Sequence, residues 1–280
     1  MRITALNVHP VKSTAIRPVE QAQVTRAGLT GDREWMVVND FGELVSAREL
    51  KPLYSITADT AATGLRGGSD LRLSAPGVEP LLLDRPLEGQ PATVTMFNYP
   101  PMPARSAGQE ADDWLDRALG TSGLHLVWCS EPARRALDLD HSRDGDHARF
   151  QDGSPVTLLS TASVRQLGDW LAQEALEHGE QPPTFGAERF RPNILIDGVD
   201  IAFAEDTWSR VRVGTVDFRV AERVSRCVMT TVDPETFEGG KEPVRTLARY
   251  RRDEGRTWMA IHLIPDSEGT ISVGDEIVAD

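Results

Sequence analysis

The residues of this chain best suited to chemistry lie in short polar stretches set among apolar runs. The stretch VSRCVMTTVDP, residues 224–234, ends an alternating run and places Cys227, one of only two cysteines, beside Arg226 and just ahead of Asp233. A thiol next to a cation leans toward thiolate, the form that binds soft metals. A cysteine in a strand can equally be buried filler, and Cys129 in LHLVWCS supports only that second reading. Asp233, ahead of Pro234, either delivers protons or closes an Asx turn. Four further stretches share this polar or cationic character: HPVKST with Lys12 and Ser13, GDREW with Arg33, VSAREL with Arg48, and ERFRPNILIDG with Arg191 and Asn193. Taken singly, each reads as a strand end or a turn, with Arg33 and Arg48 as partners for surface carboxylates.

The elements that must position these residues are mostly strands. RITALNVHPV, EWMVVND, ELVSAR, LRLSA, PLLLD, LHLVW and NILIDG are short apolar or alternating runs bounded by turn-forming residues. In WMVVNDFGELVSAR the tetrad Asn39 to Gly42 predicts a hairpin. RVRVGTVDFRVAERVSRCVMTTVD alternates almost throughout and predicts two strands turning at Gly214, with Cys227 near the end of the second. Two helices are expected. EADDWLDRALG carries acids in its first turn and Gly120 at its C-terminal cap. STASVRQLGDWLAQEALEHG spaces Val164, Leu167 and Leu171 helically, and Gln166 is placed to complete a capping box with Ser163. Its hydroxyl-rich start, Ser160 and Thr161, serves either as a simple cap or as an anion site. The proline-rich NYPPMPARSAGQE suits a connection between domains, and puts a boundary near residue 110. DLDHSRDGDHARFQDGSP concentrates Asp and His without the spacing of a known metal motif, and reads as a solvated loop.

Composition limits the function. The chain has 280 residues, 40% of them hydrophobic and 26% charged, as in ordinary globular proteins. A formal charge of −13 argues against broad binding to nucleic acid or an anionic membrane, which needs a basic face. The apolar runs are too short to span a bilayer, and the N-terminus lacks an apolar signal core, so no membrane and a cytoplasmic location are expected. Two cysteines make neither a disulfide framework nor an iron–sulfur site.

In this order, the five stretches resemble the MOSC family with its N-terminal β-barrel domain, and in particular its amidoxime-reducing molybdenum enzymes. HPVKS followed by GLTGDREWMVV resembles the opening of the barrel domain, and RFRPNILIDG, FAEDTW and SRCVMTTVDPET resemble the MOSC domain. The resemblance covers nearly the whole chain. It implies an α+β, mainly β fold, with an N-terminal β-barrel-like domain over 1–110 and a C-terminal MOSC β-barrel domain with a few helices over 111–280. It also implies a pterin-based molybdenum cofactor, Mo-molybdopterin, whose metal is ligated by Cys227. Lys12, Ser13, Arg33, Arg191, Asn193, Ser225 and Arg226 would hold the pterin and its phosphate, with Ser160 and Thr161 close by. The chain departs from the family's VDPxTG at Phe237, which puts substrate specificity in question more than cofactor binding.

The chemistry of the residues agrees with that placement. Thiolate is the softest side-chain ligand for a sulfur-held metal. A phosphate of roughly −1.5 to −2 charge on an acidic protein needs a local positive nest. Lys12, Arg33 and Arg191 offer charge and forked hydrogen bonds, and Ser13 and Asn193 offer neutral donors. The activity implied is reduction of a small N-hydroxylated substrate, an amidoxime or N-hydroxy base, by oxygen-atom transfer at the cysteine-ligated molybdenum, with Asp233 as the nearest acid. Electrons would come from an external iron–sulfur or haem protein with its reductase. The competing reading is non-catalytic: a carrier of molybdenum cofactor, or of sulfur on Cys227.

Overall fold

A computed structural model describes residues 1–280. The chain is mainly β, with three α-helices among many short strands. It folds as two compact units: residues 1–7, 20–25 and 156–280 form one, and residues 8–19 with 26–155 form the other. No helix is long and apolar enough to cross a membrane.

The first unit is organised by one sheet whose strands run in the spatial order Ile277–Ala279, Arg210–Val213, Val216–Ser225, Arg256–Pro265, Val156–Ser160, Ile194–Asp197 and Arg2–Val8. The alternation read from RVRVGTVDF buries Val211, Val213, Val216 and Phe218, and the chain reverses at Gly214 with φ 57°, a left-handed turn that glycine adopts without steric cost. Val216–Ser225 pairs antiparallel with Arg256–Pro265 through two register shifts. At the second, between Arg223 and Ser225, the partner strand carries one extra residue, and Ala260 takes φ 76°. Such a bulge bends and twists the pair just where the chain leaves the sheet for Cys227.

Val156–Ser160 and Ile194–Asp197 are parallel, so the chain must cross over between them. The helix Thr161–His178 makes that crossing and ends at Gly179 in left-handed conformation. Its cap is Ser160, whose Oγ accepts the Ser163 N–H at 3.1 Å. The cap therefore falls one turn before the expected Ser163–Gln166 box. A third helix, Val244–Tyr250, is too short to be stable alone. It is held by packing: Thr246 Oγ1 donates to the buried Glu174 at 3.1 Å, and Trp170 stacks on Tyr250 at 4.5 Å and on Phe203 at 5.5 Å.

The second unit holds a four-stranded antiparallel sheet in the order Trp35–Asn39, Leu124–Trp128, Met102–Ser106, Pro91–Val94, and a three-stranded sheet of Thr57–Asp59, Leu71–Ala75 and Val78–Leu83. The helix Gln109–Leu119 ends at Gly120 with φ 66°, as its sequence predicts, and buries Trp114 and Leu115. The Asn39 turn also forms, with Asn39 Oδ1 accepting the Phe41 and Glu43 N–H groups. The proline-rich stretch expected as a connection contains the strand Met102–Ser106 inside the four-stranded sheet. Pro100 and Pro101 precede the strand, and Pro103 lies within it, opposite Thr93. The loop expected to be solvated is so only in its first half. Ala148, Phe150 and Gln151 are buried, and Phe150 joins Met36, Val38, Met96, Val127 and Cys129 in the core. Burying one such aromatic contributes about 1.5–3 kcal/mol toward turning the loop's second half inward.

Candidate functional site

In the first unit, Cys227 is exposed and forms no disulfide. Its backbone is extended, and it caps a short 3-10 turn over Val228–Thr231, with its carbonyl accepting the Thr230 N–H at 3.2 Å and the Thr230 Oγ1 at 3.1 Å. The preceding residue fixes the thiol's position. Arg226 donates its N–H to the Thr257 carbonyl at 2.8 Å, Nε to the Met259 carbonyl at 2.7 Å and Nη1 to the Phe190 carbonyl at 3.2 Å. Arg226 thus ties the cysteine loop to the bulged strand and to the turn before Arg191. Ser225 is exposed at the last rung of its strand, opposite Trp258.

After the turn the chain doubles back: Val232 bridges Gly239, and the Asp233 N–H reaches the Glu238 carbonyl at 2.8 Å. Asp233 closes the tip. Its Oδ1 accepts the Glu235 and Thr236 N–H groups at 2.9 and 3.0 Å, and its Oδ2 accepts Arg189 Nη2 at 2.6 Å. The N–H groups of Thr236 and Glu235, then Arg189, hold this carboxyl below the usual carboxylate range. That geometry matches the Asx-turn reading. Phe237, where the family pattern has glycine, keeps a left-handed backbone with φ 62°, which costs a residue with a Cβ about 1–2 kcal/mol.

Arg191 follows the 3-10 turn Ala187–Phe190 and is itself left-handed, with φ 50°. Asn193 is 1% exposed, and its side chain joins two strands: Oδ1 accepts the Thr157 N–H at 3.1 Å and Nδ2 donates to the Asn7 carbonyl at 3.1 Å. Ser160 is buried and donates to Glu205, which also accepts from Ser163 Oγ at 2.7 Å. Thr161 Oγ1 donates to Asp197.

In the second unit, residues 9–14 and 31–35 run side by side. The Arg33 N–H reaches the His9 carbonyl at 2.7 Å and the Lys12 N–H reaches the Trp35 carbonyl at 2.8 Å. Both Ser13 and Arg33 are left-handed, with φ 69° and 50°. Strained backbone at non-glycine residues gathers at functional sites, and here three of the proposed cofactor residues show it. Arg33 Nη1 donates to both oxygens of the buried Asp32, at 3.0 and 2.7 Å, and His9 Nδ1 lies 3.1 Å from the same carboxylate. Lys12 is 3% exposed. Its Nζ donates to the Phe150 carbonyl at 2.6 Å and to Asp152. Burial pushes the Lys12 ammonium down to about 8, against the pull of Asp152.

Sequence reasoning missed several partners in these clusters. Asp152, which also accepts from Arg48 Nη2 at 3.2 Å, sits in the stretch read as solvated. The sequence reads Arg48 as a carboxylate partner, and in the structure it bonds Asp152. Arg135, buried over the Tyr99 ring at 4.6 Å, and Glu205, inside FAEDTW, carried no signal of their own.

The MOSC domain model matches residues 145–278, and the MOSC N-terminal beta barrel domain model matches residues 1–122. The human mitochondrial amidoxime-reducing component 1 is 32% identical over 98% of this chain and 82% of its own length. The mouse component 1 is 30% identical over 98% and 81%, and the Bos taurus component 2 is 29% identical over 98% and 82%. The chain belongs to the MOSC-domain family, and carries that family's N-terminal beta barrel domain ahead of the MOSC domain itself.

Proposed function

We propose that the protein reduces N-hydroxylated compounds, amidoximes and N-hydroxy bases, with a molybdenum cofactor (Mo-molybdopterin) ligated by Cys227 and supplied with electrons by an external iron–sulfur or haem protein and its reductase. The observation that carries the reading is Cys227: an exposed thiol, on extended backbone, in a loop that Arg226 fastens to three carbonyls of the body. The relatives named as amidoxime-reducing components supply the substrate class.

The donor set fits the group. No cluster of three His, Cys, Asp or Glu side chains offers a competing hard-metal site. A thiolate is the donor that a soft metal centre takes. The bound cofactor would supply the two-electron redox chemistry of N–O cleavage, in which two protons and two electrons release the oxygen as water. The chain's own residues hold and orient. On this reading Lys12, Ser13, Arg33, Arg191, Ser225 and Thr161 are assigned to the pterin and its phosphate. Arg226, Asn193 and Ser160, assigned to the cofactor as well, also fix the backbone at these positions, through Arg226 Nε and Nη1, the Asn193 amide and Ser160 Oγ. Asp233 is held as a carboxylate and is a poor acid at neutral pH, so this reading gives it the turn and Arg189 rather than the proton.

The test is turnover by protein purified from molybdenum-replete cells. With an amidoxime and a chemical reductant the protein should turn over, and with NAD(P)H alone it should not. Bound metal and pterin without turnover favour the carrier reading, for which an exposed cysteine is equally apt. Protein that never takes up metal or pterin contradicts both.

A further inference from the structure

Within residues 8–19 and 26–155, several cations converge on one carboxylate. Asp152 accepts from Lys12 through Oδ1 and from Arg48 through Oδ2, while Arg33 and Arg135 act on the Lys12–Asp152 pair through their charge. Arg33 has Asp32, and Arg135 donates to the carbonyls of Arg149 and Gly153. Even so, Lys12, Arg33, Arg48 and Arg135 outnumber Asp32 and Asp152. In a chain with a formal charge of −13, this is a local positive nest suited to an anion.

The two sides of the nest differ in freedom. Lys12 is 3% exposed and anchored on the Phe150 carbonyl. The Asp152 side chain is 55% exposed and precedes Gly153; its carboxylate is held by Lys12 and Arg48, and its carbonyl accepts Tyr99 Oη at 2.7 Å. An exposed carboxylate can exchange its partners for water at lower cost than a buried ammonium can. Burial already drives Lys12 down to about 8 with a carboxylate beside it. Without any anion, desolvation would favour the neutral amine further.

We infer that Asp152 is a resident anion: it keeps the nest charged while no ligand is bound, and a ligand's phosphate monoester must displace it. This rests on the proposed function for the ligand's identity, a pterin phosphate, but its chemistry requires only a phosphate. Asp152 therefore has two opposed effects, preserving the site and weakening phosphate binding to it.

The experiment uses inorganic phosphate as the probe, titrated by calorimetry into the full chain prepared without cofactor, at pH 6 and low salt so that Lys12 is protonated. Asp152→Asn should bind phosphate about tenfold or more tightly than wild type, the scale of one charge-assisted contact no longer competed for. Equal or weaker binding by the variant, or none, overturns the inference. A second reading needs only wild type: the carboxyl carbon of Asp152, followed by NMR through a pH titration, should titrate at higher pH when phosphate is saturating. An unchanged midpoint with phosphate bound also overturns it. Molybdenum and pterin content are measured on separate preparations, so the proposed function and the role of Asp152 can fail independently.

Discussion

Two regions of this molecule each present a cysteine near arginines, and they use it in opposite ways. Cys129 is 5% exposed, packed with Met36, Val127 and Phe150, and burial pushes its thiol up to about 11 although Arg149 and Arg135 pull it down. Cys227 lies exposed beyond the end of a strand, on a loop whose anchor is the neighbouring arginine. Nearby positive charge is therefore not what makes a thiol available. Desolvation outweighs two arginines at Cys129, while at Cys227 a bulged strand pair and a bonded Arg226 hold the chain clear of the core. The same arithmetic governs Lys12, where burial outweighs Asp152.

The comparison can be broken most sharply by reactivity. In cofactor-free protein at pH 7, an alkylating reagent should modify Cys227 at least about a hundredfold faster than Cys129, since Cys227 is exposed while Cys129 is buried with its thiol pushed up to about 11. Comparable rates, read by mass spectrometry of the peptides, would erase the distinction. Next in size is the anchor. Arg226→Ala removes side-chain bonds to the Met259 and Phe190 carbonyls and should cost about 2–4 kcal/mol, with a fall in metal content; a thermal midpoint equal to wild type would show that the loop stands without it. Cys129→Ser places a hydroxyl among apolar neighbours and should cost about 1–3 kcal/mol without changing metal content or amidoxime reduction. Lost activity at unchanged stability would give Cys129 a role this account denies. The smallest effect is expected at the tip of the cysteine loop. Phe237→Gly relieves left-handed strain of about 1–2 kcal/mol, but the glycine gains unfolded-state freedom worth about 0.5–1 kcal/mol. Denaturation should therefore move by no more than about 1 kcal/mol, with metal content retained; a large loss of metal would make Phe237 part of the cofactor's hold.

What the sequence made legible follows the range of the interactions. The strands around Gly214 and the helices closed by Gly120 and Gly179 are local patterns, and the structure has them. The helix Val244–Tyr250 is seven residues long and depends on Glu174, 72 positions earlier, so no local pattern announces it. Met102–Ser106 was hidden by its prolines. The same rule holds at the candidate site. Cys227 and Arg226 are adjacent, and the order of the motifs pointed to them. Asp152 meets Lys12 across 140 residues, and Glu205 meets Ser160 across 45. A stretch of Asp and His in sequence gives no sign of which member will fold inward onto a buried lysine. Asp233 was readable both ways, and the two N–H groups and Arg189 around it match the turn.

The central claim is that Cys227 is present to bind molybdenum, and metal analysis of two serine variants beside wild type tests it most directly. Protein from molybdenum-replete cells is assayed for molybdenum and for the fluorescence of the released, oxidised pterin, with the thermal midpoint as a check on folding. Cys227→Ser should keep its midpoint within the shift of an exposed substitution, about 0.5 kcal/mol, and lose bound molybdenum, because neutral serine is a harder and poorer donor. Cys129→Ser should keep its molybdenum. If Cys227→Ser retains molybdenum at the wild-type level, the thiol is not the ligand and the account fails at its centre.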